Sequence, residues 1–563
     1  HFLIRALRGE PISIFGVGCQ VRDILHVEDA VAAWIAAWRR IDAVSGTAFN
    51  LGGGPGNAVS LRQVLREIEA IAGRRIDLHF DEWRAGDQRW YVSDTRRAVA
   101  QLGLRAPRPW RDGLRDGLAG RRARSARRAG AGRVMRVALV NPAWDFAGSI
   151  YFGCREPHLP LELGYSKALL EAAGHEVLML DAHLTGASNE TAARMVAEFA
   201  PAMTAVATAP SYLFWRCAPP ELRVPRAFLA ELGERGGRTV AVGPHGSATP
   251  RAALRKLGCD VVVRGECEEV VTMLAAVPDL SRVPAIAHRE GEEIRITGAP
   301  HAGEFTRLPA LRWPAEWVQR HRHHHHRFDC KPEVPGAEVE ASRGCPYNCT
   351  FCAKIDFRDK YRRRDLTLLL EEIDGLRAQG AGYLYFIDEI FLPNRALLEA
   401  MVGRGLQFGV QTRIDLWKPE MLELLGRAGC VSIEAGVESL TVEGRAALDK
   451  NCRMTTEELS DRLLYARRFV PFVQANLIEM SGDDEALVTA WRQKLQGGGV
   501  WANDPVPLYP YPSSPDYRRL WGEPDDQAWE RAHAHYLAQF AGFSDIQEER
   551  PVALERLEAQ CAC

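Results

Sequence analysis

Residues 341–354 read Ala-Ser-Arg-Gly-Cys345-Pro-Tyr-Asn-Cys349-Thr-Phe-Cys352-Ala-Lys, directly after a run typical of a buried strand. The spacing Cys-x3-Cys-x2-Cys places three thiolates on one short loop. Three thiolates can hold three irons of a [4Fe-4S] cluster and leave the fourth iron open to a small molecule. We therefore expect a reactive iron–sulfur cluster on Cys345, Cys349 and Cys352, at the end of a parallel strand.

Two other interpretations of this cysteine loop stay open. A structural zinc site prefers four ligands in paired Cys-x2-Cys knuckles, and no second pair follows this loop. Three buried thiols without a metal are the other alternative. The spacing favours the cluster over both.

The loop resembles the signature of the radical S-adenosylmethionine (SAM) superfamily, Cys-x3-Cys-x-aromatic-Cys, with Phe351 as the aromatic residue. The resemblance implies a [4Fe-4S] cluster whose open iron binds SAM, and one-electron cleavage of SAM to a 5′-deoxyadenosyl radical. It also implies that SAM is bound by polar side chains at the ends of the next strands. The candidates are Asp388, Glu389, Gln411, Arg413, Glu434 and Glu438. For each of them, a salt bridge at the rim of a barrel is the alternative.

An alternation of strands and helices surrounds the loop. It predicts a full or partial (β/α) barrel over 336–490, with its site at the carboxyl ends of the strands. The expected strands are 337–341, 382–387, 406–411, 430–435 and 472–478, and the expected helices include Leu366–Gln379 and Pro419–Ala428. A helical C-terminal extension, 491–563, follows. Its Pro- and Tyr-rich segment 504–517 either packs against the barrel or walls a substrate pocket.

A similar alternation runs through residues 135–290 and predicts a Rossmann-like doubly wound parallel sheet, followed by a connector at 291–335. The expected strands are 136–141, 176–180, 204–208, 238–242 and 260–263. This region resembles the cobalamin-binding domain that precedes the barrel in one radical SAM subfamily. The resemblance implies a cobalamin site near Gly243, His245, Gly265 and Glu266, because small residues at strand ends let a flat corrin approach the backbone.

Two histidine motifs have alternative interpretations. Asp181-Ala-His183-Leu-Thr-Gly186 matches a motif whose histidine ligates cobalt in methionine synthase-like proteins. It follows the second strand rather than the first, so we expect a chance match and no histidine ligand to cobalt. The run His323–His326 is either a metal site or a polar approach to the barrel, and we favour the polar approach.

Residues 1–118 resemble the carboxyl-terminal half of extended short-chain dehydrogenase/reductase nucleotide-sugar epimerases. The resemblance rests on Arg22-Asp-Ile-Leu-His-Val-Glu-Asp29 and on Trp83-Arg84-Ala-Gly-Asp87, and it implies a vestigial nucleotide-sugar site at Arg22, Arg84 and Asp87. This region has neither Gly-x-x-Gly-x-x-Gly nor Tyr-x-x-x-Lys. We therefore expect an inactive fragment that does not bind NAD productively, followed by an Arg-rich linker at 119–134.

Composition argues against several classes of protein and partner. The 563 residues carry 71 Lys+Arg and 73 Asp+Glu, so the net charge of -2 gives no overall attraction to nucleic acid or an acidic membrane. No apolar run reaches the ~18–20 residues of a membrane helix. An odd count of 13 cysteines in a long chain fits a reducing compartment better than a disulfide framework. We expect a cytoplasmic protein without a nucleic-acid or membrane partner.

These patterns together predict a cobalamin-dependent radical SAM enzyme that methylates an unactivated carbon. Its substrate is expected to be a small molecule, carbohydrate-related or a natural product, and its electron donor a protein such as a flavodoxin or ferredoxin. Two alternatives stay open. One is a radical rearrangement or oxidation without methyl transfer, and the other is a nucleotide-sugar-binding protein with a structural metal site.

Overall fold

The computed structural model describes residues 2, 5, 11–72, 75–83, 86–114, 134–150, 156–211, 218–321, 334–354, 358–480, 482–539 and 551–559. The chain forms two compact units, His1–Arg133 and Val134–Cys563. Each unit has its own sheets and its own buried apolar clusters. The Arg-rich linker and the histidine run 323–326 lie outside the described residues.

The first unit contains two small sheets. Strands β1 (Ile12–Phe15) and β4 (Leu78–Asp81) form a parallel pair, while β2 (Val21–Asp23) lies between β3 (Ala58–Ser60) and β5 (Trp90–Tyr91). Its helices are Val27–Arg39, Ile41–Val44, Leu61–Ala72 and Arg96–Leu102. A core built on Ile12, Ile14, Val59, Leu65 and Ile68 joins the parallel pair to the helix at 61–72. This confirms the predicted α/β segment.

A seven-stranded sheet opens the second unit. Its parallel strands are β6 (Arg136–Asn141), β7 (Glu176–Asp181), β8 (Met203–Ala207), β9 (Arg238–Val242) and β10 (Val261–Val263). In space these strands lie in the order β7-β6-β8-β9-β10. The chain adds β7 on one side of β6 and then returns to add β8 on the other side, so the strand order reverses between β6 and β8. Ligands of doubly wound sheets bind at such a reversal, at the carboxyl ends of the strands. The predicted doubly wound sheet is confirmed.

An antiparallel hairpin, which the sequence analysis did not predict, extends the edge of this sheet. Strands β11 (Ile286–Glu290) and β12 (Glu293–Thr297) pair with each other, and β11 also pairs with β10. The turn contains Gly291, whose φ of 65° favours glycine. Two alternating runs separated by a short glycine-containing turn are a hairpin signal, and this hairpin spans the predicted boundary between the sheet domain and the connector.

The second sheet of this unit is parallel throughout and carries the cysteine loop at its edge. Its strands, in spatial order, are β13 (Gly336–Val339), β16 (Tyr383–Phe386), β17 (Gln407–Thr412), β18 (Cys430–Glu438), β19 (Phe472–Leu477) and β20 (Trp501–Ala502). Among the described strands, the two edge strands β13 and β20 do not pair with each other, so the sheet is open. The barrel is therefore partial. A short antiparallel pair, β14 (Ser342–Arg343) and β15 (Arg362–Arg363), flanks the loop on both sides.

Helices cover the faces of both sheets. Those longer than six residues around the first sheet are Leu161–Ala172, Asn189–Phe199, Arg223–Leu232, Pro250–Leu257 and Glu268–Ala276, and those around the second are Leu366–Ala378, Arg395–Met401, Pro419–Arg427, Thr456–Ala466 and Glu485–Gly497. Shorter helices include Ala182–Thr185, Pro244–Ala248, Ala315–Arg320 and Val442–Ala447. The extension adds the helices Pro515–Trp521, Ala528–Gln539 and Leu554–Ala559, which agrees with its predicted helical character. None of the described helices combines the length and apolar character needed to cross a bilayer.

Candidate functional site

The cysteine loop begins at a glycine that no other residue can replace without a shift of backbone. Gly344 has a φ of 83°, and a Cβ there would lie 2.2 Å from the carbonyl oxygen of Lys360. These two backbone segments approach this closely because β14 and β15, on either side of the loop, pair with each other. The local sequence Arg-Gly-Cys therefore folds as a tight exit from the strand that delivers Cys345 to the sheet edge.

A cavity of about 200 Å³ lies where the loop meets the carboxyl ends of β16, β17 and β18. All three cysteines line it, together with Phe351, the aromatic residue of the signature, and four of the predicted SAM-contact residues: Glu389, Gln411, Arg413 and Glu438. Ile390, Thr412 and Gly436 complete the strand-end part of the wall. The fold thus brings together predicted site residues that are far apart in the chain, from Cys345 to Glu438.

The cysteine side chains are half-buried, and burial raises the pKa of Cys345 and of Cys349. Without a metal these thiols therefore hold their protons at neutral pH, and metal binding has to displace them. Lys354 steadies the loop, because its Nζ donates to the carbonyl of Cys345 at 2.8 Å and pairs with Asp359 at 2.9 Å. The donor set of three sulfurs with a nearby cation suits an anionic iron–sulfur cluster.

Arg413 is the main cationic group that the strand ends contribute. Its guanidinium forms two bonds to Asp415, at 2.8 and 3.2 Å, and lies 4.1 Å from the ring centroid of Tyr347. Its Nη1 is buried and has no hydrogen-bond partner among the described residues, and the same holds for Oε1 of Gln411. These two lining residues therefore retain one donor and one acceptor for a polar ligand.

The predicted pair Asp388 and Glu389 is divided between two roles. Asp388 does not line the cavity; it accepts from Ala341 N at 2.8 Å and from Ser342 Oγ, and burial raises its pKa. It therefore anchors the start of the cysteine loop. Glu389 lines the cavity, accepts from Gly344 N at 2.7 Å, and has its pKa raised by burial.

Glu438 and Glu434 both lie on β18 but in different environments. Glu438 has a left-handed φ of 67° at an irregularity in the strand, which turns its carboxylate toward Lys450 Nζ at 2.9 Å. Both members of this ion pair line the cavity. Glu434 is buried, stands beside Gln411 and Gln474 in the sheet register, and is not a lining residue.

Behind the cavity, a buried cluster of charges connects the loop to the first sheet. Arg343 pairs with Glu340 and with Glu268 at 2.8 Å, and Arg358 pairs with Glu340 at 2.5 Å and with Glu389 at 3.3 Å. Burial disfavours the charged guanidinium, but the surrounding carboxylates outweigh it and raise the pKa of Arg343. Arg343 therefore remains charged, and its ion pairs fix the loop relative to the helix that begins at Glu268.

Besides Ile390, Thr412 and Gly436, four other lining residues were not named as site residues from the sequence: Tyr347, Lys354, Lys450 and Tyr511. Tyr347 and Lys354 belong to the quoted cysteine stretch, so their proximity was a usable signal. Tyr511 comes from the Pro- and Tyr-rich segment, for which a pocket wall was one of two interpretations. The backbone N of Asp516 donates to Thr350 O at 2.8 Å, which holds this segment against the cysteine loop.

The residues predicted to bind cobalamin are engaged in contacts within the protein. His245 is buried, donates through Nε2 to Pro219 O at 2.7 Å, and packs against Trp529 with ring centroids 4.7 Å apart. Burial lowers its pKa to about 3. Gly243 precedes the short helix that carries it, with a φ of 140°.

Gly265 and Glu266 lie together at the carboxyl end of β10. A Cβ on Gly265 would lie 2.2 Å from His301 O, so the neighbouring backbone explains the glycine. The carboxylate of Glu266 pairs with Arg362 and accepts from Gly303 N at 2.9 Å. Two other buried oxygens near the reversal of strand order, Oγ1 of Thr208 and Oε1 of Glu162, have no hydrogen-bond partner among the described residues.

The Asp181–Gly186 motif has a local structural role. Asp181 caps the helix Ala182–Thr185 by accepting from Leu184 N at 2.9 Å, and it also accepts from Asn141 Nδ2 at 3.0 Å. These bonds tie the ends of β7 and β6 together. The interpretation of the motif as a chance match remains a prediction.

In the first unit, Arg22 and Asp87 form an ion pair of 2.6 Å between Nη2 and Oδ1. Both side chains are partly exposed. The third predicted residue of the vestigial nucleotide-sugar site, Arg84, lies outside the described residues. The structure thus brings together two of the three.

Comparison with known proteins identifies the class of each region. A family model for the radical SAM superfamily matches residues 339–486, and one for the NAD dependent epimerase/dehydratase family matches residues 1–52. The chain contains a radical SAM domain, preceded in the sequence by an epimerase/dehydratase segment. The cavity with three cysteines belongs to the radical SAM domain.

Individual relatives are similar to different parts of the chain. An uncharacterized methyltransferase of Pyrococcus horikoshii is 22% identical over 354 residues, 60% of this chain and 72% of its own. The anaerobic magnesium-protoporphyrin IX monomethyl ester cyclase of Cereibacter sphaeroides is 26% identical over 59% of this chain, which spans only 55% of the cyclase. CDP-paratose 2-epimerase of Salmonella typhi is 36% identical over 90 residues, 26% of its length.

Among solved structures, the fold is similar to that of the radical SAM methyltransferase TsrM from Kitasatospora setae, determined with cobalamin and a [4Fe-4S] cluster bound. The TM-score is 0.55 at 20% identity, over 68% of this chain and 77% of TsrM. The second unit therefore has a TsrM-like fold, in which a doubly wound sheet precedes a radical SAM domain.

Proposed function

We propose that this chain is a cobalamin-dependent radical SAM enzyme that transfers a methyl group to an unactivated carbon. The observation that carries the proposal is the single cavity lined by Cys345, Cys349 and Cys352 together with Glu389 and Arg413. In that cavity sulfur ligands lie beside both a carboxylate and a guanidinium, as binding of the amino and carboxylate groups of SAM requires. A bound cluster with SAM supplies one-electron cleavage of SAM to a carbon-centred radical.

The residues of this chain have distinct tasks in that proposal. The three thiols would hold the cluster, and Phe351 lines the same cavity. Glu389 is positioned for the SAM amino group, and Arg413, with its unpartnered Nη1, for the carboxylate. Gln411 and Glu438 offer further polar contacts, whereas the buried Asp388 and Glu434 act from behind the wall.

Cobalamin is the part of the proposal that rests on the first sheet. The reversal of strand order between β6 and β8 is a general ligand position in doubly wound sheets. Unpartnered oxygens of Thr208 and Glu162 are available near it for a ligand rich in amides. The solved relative TsrM holds cobalamin together with its cluster. We place cobalamin at this reversal, with Gly243 and Gly265 on neighbouring strand ends.

Anaerobic reconstitution with cobalamin tests the proposal. We expect about four irons and four sulfides per chain, bound cobalt, and 5′-deoxyadenosine after reduction with flavodoxin or a chemical donor. Cys345→Ala should abolish deoxyadenosine formation, whereas Cys19→Ala, at an exposed position in the first unit, should leave it unchanged. Zinc without iron or sulfide would favour the structural-metal alternative and contradict the proposal.

A second candidate is a radical reaction without methyl transfer. The similarity to the protoporphyrin ester cyclase favours it, because that relative is named for ring closure rather than methylation. SAM with a trideuterated methyl group separates the two candidates. Methyl transfer places the label in the product of a carbohydrate-related or natural-product substrate, whereas a rearrangement or oxidation leaves it in methionine.

For the first unit, we propose an inactive fragment that retains part of a nucleotide-sugar site. The ion pair between Arg22 and Asp87 supports this, because it holds two of the three predicted residues together on a partly exposed surface. NAD-dependent epimerisation of a nucleotide-sugar by the purified chain would contradict this proposal.

A further inference from the structure

A second cluster of metal-ligating side chains lies apart from the cysteine cavity. His158, His321 and Glu338 are all buried, with side-chain exposures of 6%, 0% and 0%. His158 Nδ1 lies 2.5 Å from Glu338 Oε1, and His321 Nε2 lies 3.0 Å from Glu338 Oε2. None of the three lines the cavity that contains the cysteines.

We propose that these three residues bind one divalent transition-metal ion of the zinc or ferrous type. Their ligand atoms all lie within 4.8 Å of one another. Metal–ligand bonds of about 2.0–2.2 Å at tetrahedral angles require donor atoms about 3.4 Å apart, so small side-chain shifts suffice. The ion replaces the protons that now occupy the two imidazole–carboxylate contacts.

The number and kind of donors define the class of metal. Each imidazole offers one nitrogen and the carboxylate one oxygen, so three residues supply three donor atoms, while Glu338 Oε2 also accepts from Leu159 N at 3.1 Å. Imidazole with carboxylate suits zinc and ferrous iron, whereas magnesium and calcium prefer all-oxygen ligands.

The position of the cluster in the fold explains what a metal there would do. His158 lies just before the helix Leu161–Ala172 of the first sheet, and His321 directly follows the helix Ala315–Arg320. Glu338 lies within β13, the first strand of the second sheet. One ion would therefore fix the strand that leads to the cysteine loop to both the first sheet and the connecting segment.

A neighbouring carboxylate, that of Asp181, lies close enough to balance the charge of a bound dication. One dication and one carboxylate leave an excess positive charge, which is costly in a buried position unless it is compensated. The helix Ala315–Arg320 packs against Ala182–Thr185, whose capping residue Asp181 is buried and interacts electrostatically with His321. Oδ2 of Asp181 has no hydrogen-bond partner among the described residues. Asp181 therefore lies where an ionised carboxylate would compensate this charge without being a ligand.

Metal and sulfide analysis of the reconstituted holoenzyme tests this site independently of the cluster. We expect either about one zinc per chain or about five irons with only four sulfides. Glu338→Gln should remove that single zinc or fifth iron and retain the four cluster irons and four sulfides. His288→Gln is the matched control, since His288 is buried in the first sheet and, among the described residues, its ring forms a hydrogen bond only with Arg289 O.

X-ray absorption at the zinc edge covers the case in which Glu338→Gln does not fold. In the wild-type protein it should show nitrogen and oxygen neighbours near 2.0–2.1 Å and no sulfur. If the bound metal is iron instead, the corresponding signal is a ferrous ion that persists in the wild-type protein after the cluster has been oxidised. A holoenzyme with no zinc and an iron-to-sulfide ratio of one would overturn the proposal, as would zinc bound by sulfur. Neither result would affect the cluster assignment.

Discussion

Nε and Nη2 of Arg343 donate to the two carboxylate oxygens of Glu340, at 2.9 and 2.8 Å, with both side chains almost completely buried. Arg343 lies two residues before Cys345, and its Nη1 also donates to Glu268 of the preceding domain. It therefore couples the cysteine loop to the sheet that we propose holds cobalamin. A planar guanidinium is required for this geometry.

Arg343→Met should destabilise the protein and loosen the loop. Removal of one partner leaves buried carboxylates unpaired, which costs about 3–5 kcal/mol. Urea unfolding of the chain measures this loss, and iron content reports on the loop. Arg312→Met is the control, because Arg312 and Glu371 form an exposed pair, 83% and 50% accessible, whose loss should cost at most about 1 kcal/mol. Equal effects of the two variants would contradict the assigned coupling.

Gly344→Ala should prevent cluster assembly. The added Cβ would meet Lys360 O at 2.2 Å and would require a φ near 83°. Iron and sulfide content after reconstitution measures the loss. Gly522→Ala is matched in φ, at 79°, but its Cβ would enter open space. That variant should lose only about 1 kcal/mol of stability and keep a full cluster; an iron-replete Gly344→Ala protein would show that the close approach is dispensable.

Arg413→Lys should weaken SAM binding by about tenfold, equivalent to about 1.4 kcal/mol. A lysine keeps the charge but loses the planar group that pairs with Asp415 and stacks on Tyr347. Equilibrium binding of SAM to the reconstituted protein measures the change, with iron content showing that the cluster is intact. Arg468→Lys, which alters a similar stacking on Tyr465 outside the cavity, should have no effect. Unchanged SAM affinity in Arg413→Lys would exclude the assigned contact.

Glu162→Gln should stabilise the protein increasingly as the pH rises. Burial raises the pKa of Glu162 from 4.5 to about 8. Between these values the folded chain retains a proton that the unfolded chain has lost, so wild-type stability falls with increasing pH, by at most about 1.4 kcal/mol per pH unit. Glutamine removes this dependence and preserves an acceptor for Ser211 Oγ, which donates to Glu162 Oε2 at 2.6 Å.

Urea unfolding of wild type and Glu162→Gln at several pH values between 5 and 8 measures the difference. Glu171→Gln is the control, because Glu171 lies on the same helix but is half exposed. Its stability difference from wild type should show no comparable trend. A constant difference for Glu162→Gln over this range would mean that the carboxyl group is ionised in the folded state.

The regular elements were largely predictable. Every strand expected between 136 and 478 is present, with ends shifted by three residues at most. Parallel strands that are buried on both faces produce short apolar runs, and these are visible without tertiary information. The hairpin of β11 and β12 was missed because its charged turn resembled a solvent-exposed connector. The edge strand β20, only two residues long, gives no periodic signal.

The site was predictable only in part. Glu389 and Arg413 stand at strand ends, so their approach to the cysteines follows from the parallel arrangement. Asp388 adjoins Glu389 in the sequence, and Glu434 lies on the same strand as Glu438. Both are carboxylates, yet neither lines the cavity. Alternation along a strand and the bulge near Glu438 decide which side chain faces the cavity, and a slip of one residue reverses that choice.

By itself the sequence determined the order of elements and the spacing of the three cysteines, because both depend on local pattern and covalent distance. Only the tertiary structure decided that Arg343 bridges two domains, that Tyr511 reaches the cysteine cavity, and that His158 meets Glu338 across 180 positions. Such contacts depend on how the two sheets pack. That packing arises from the sum of many weak apolar interactions, which leave no short-range mark in the chain.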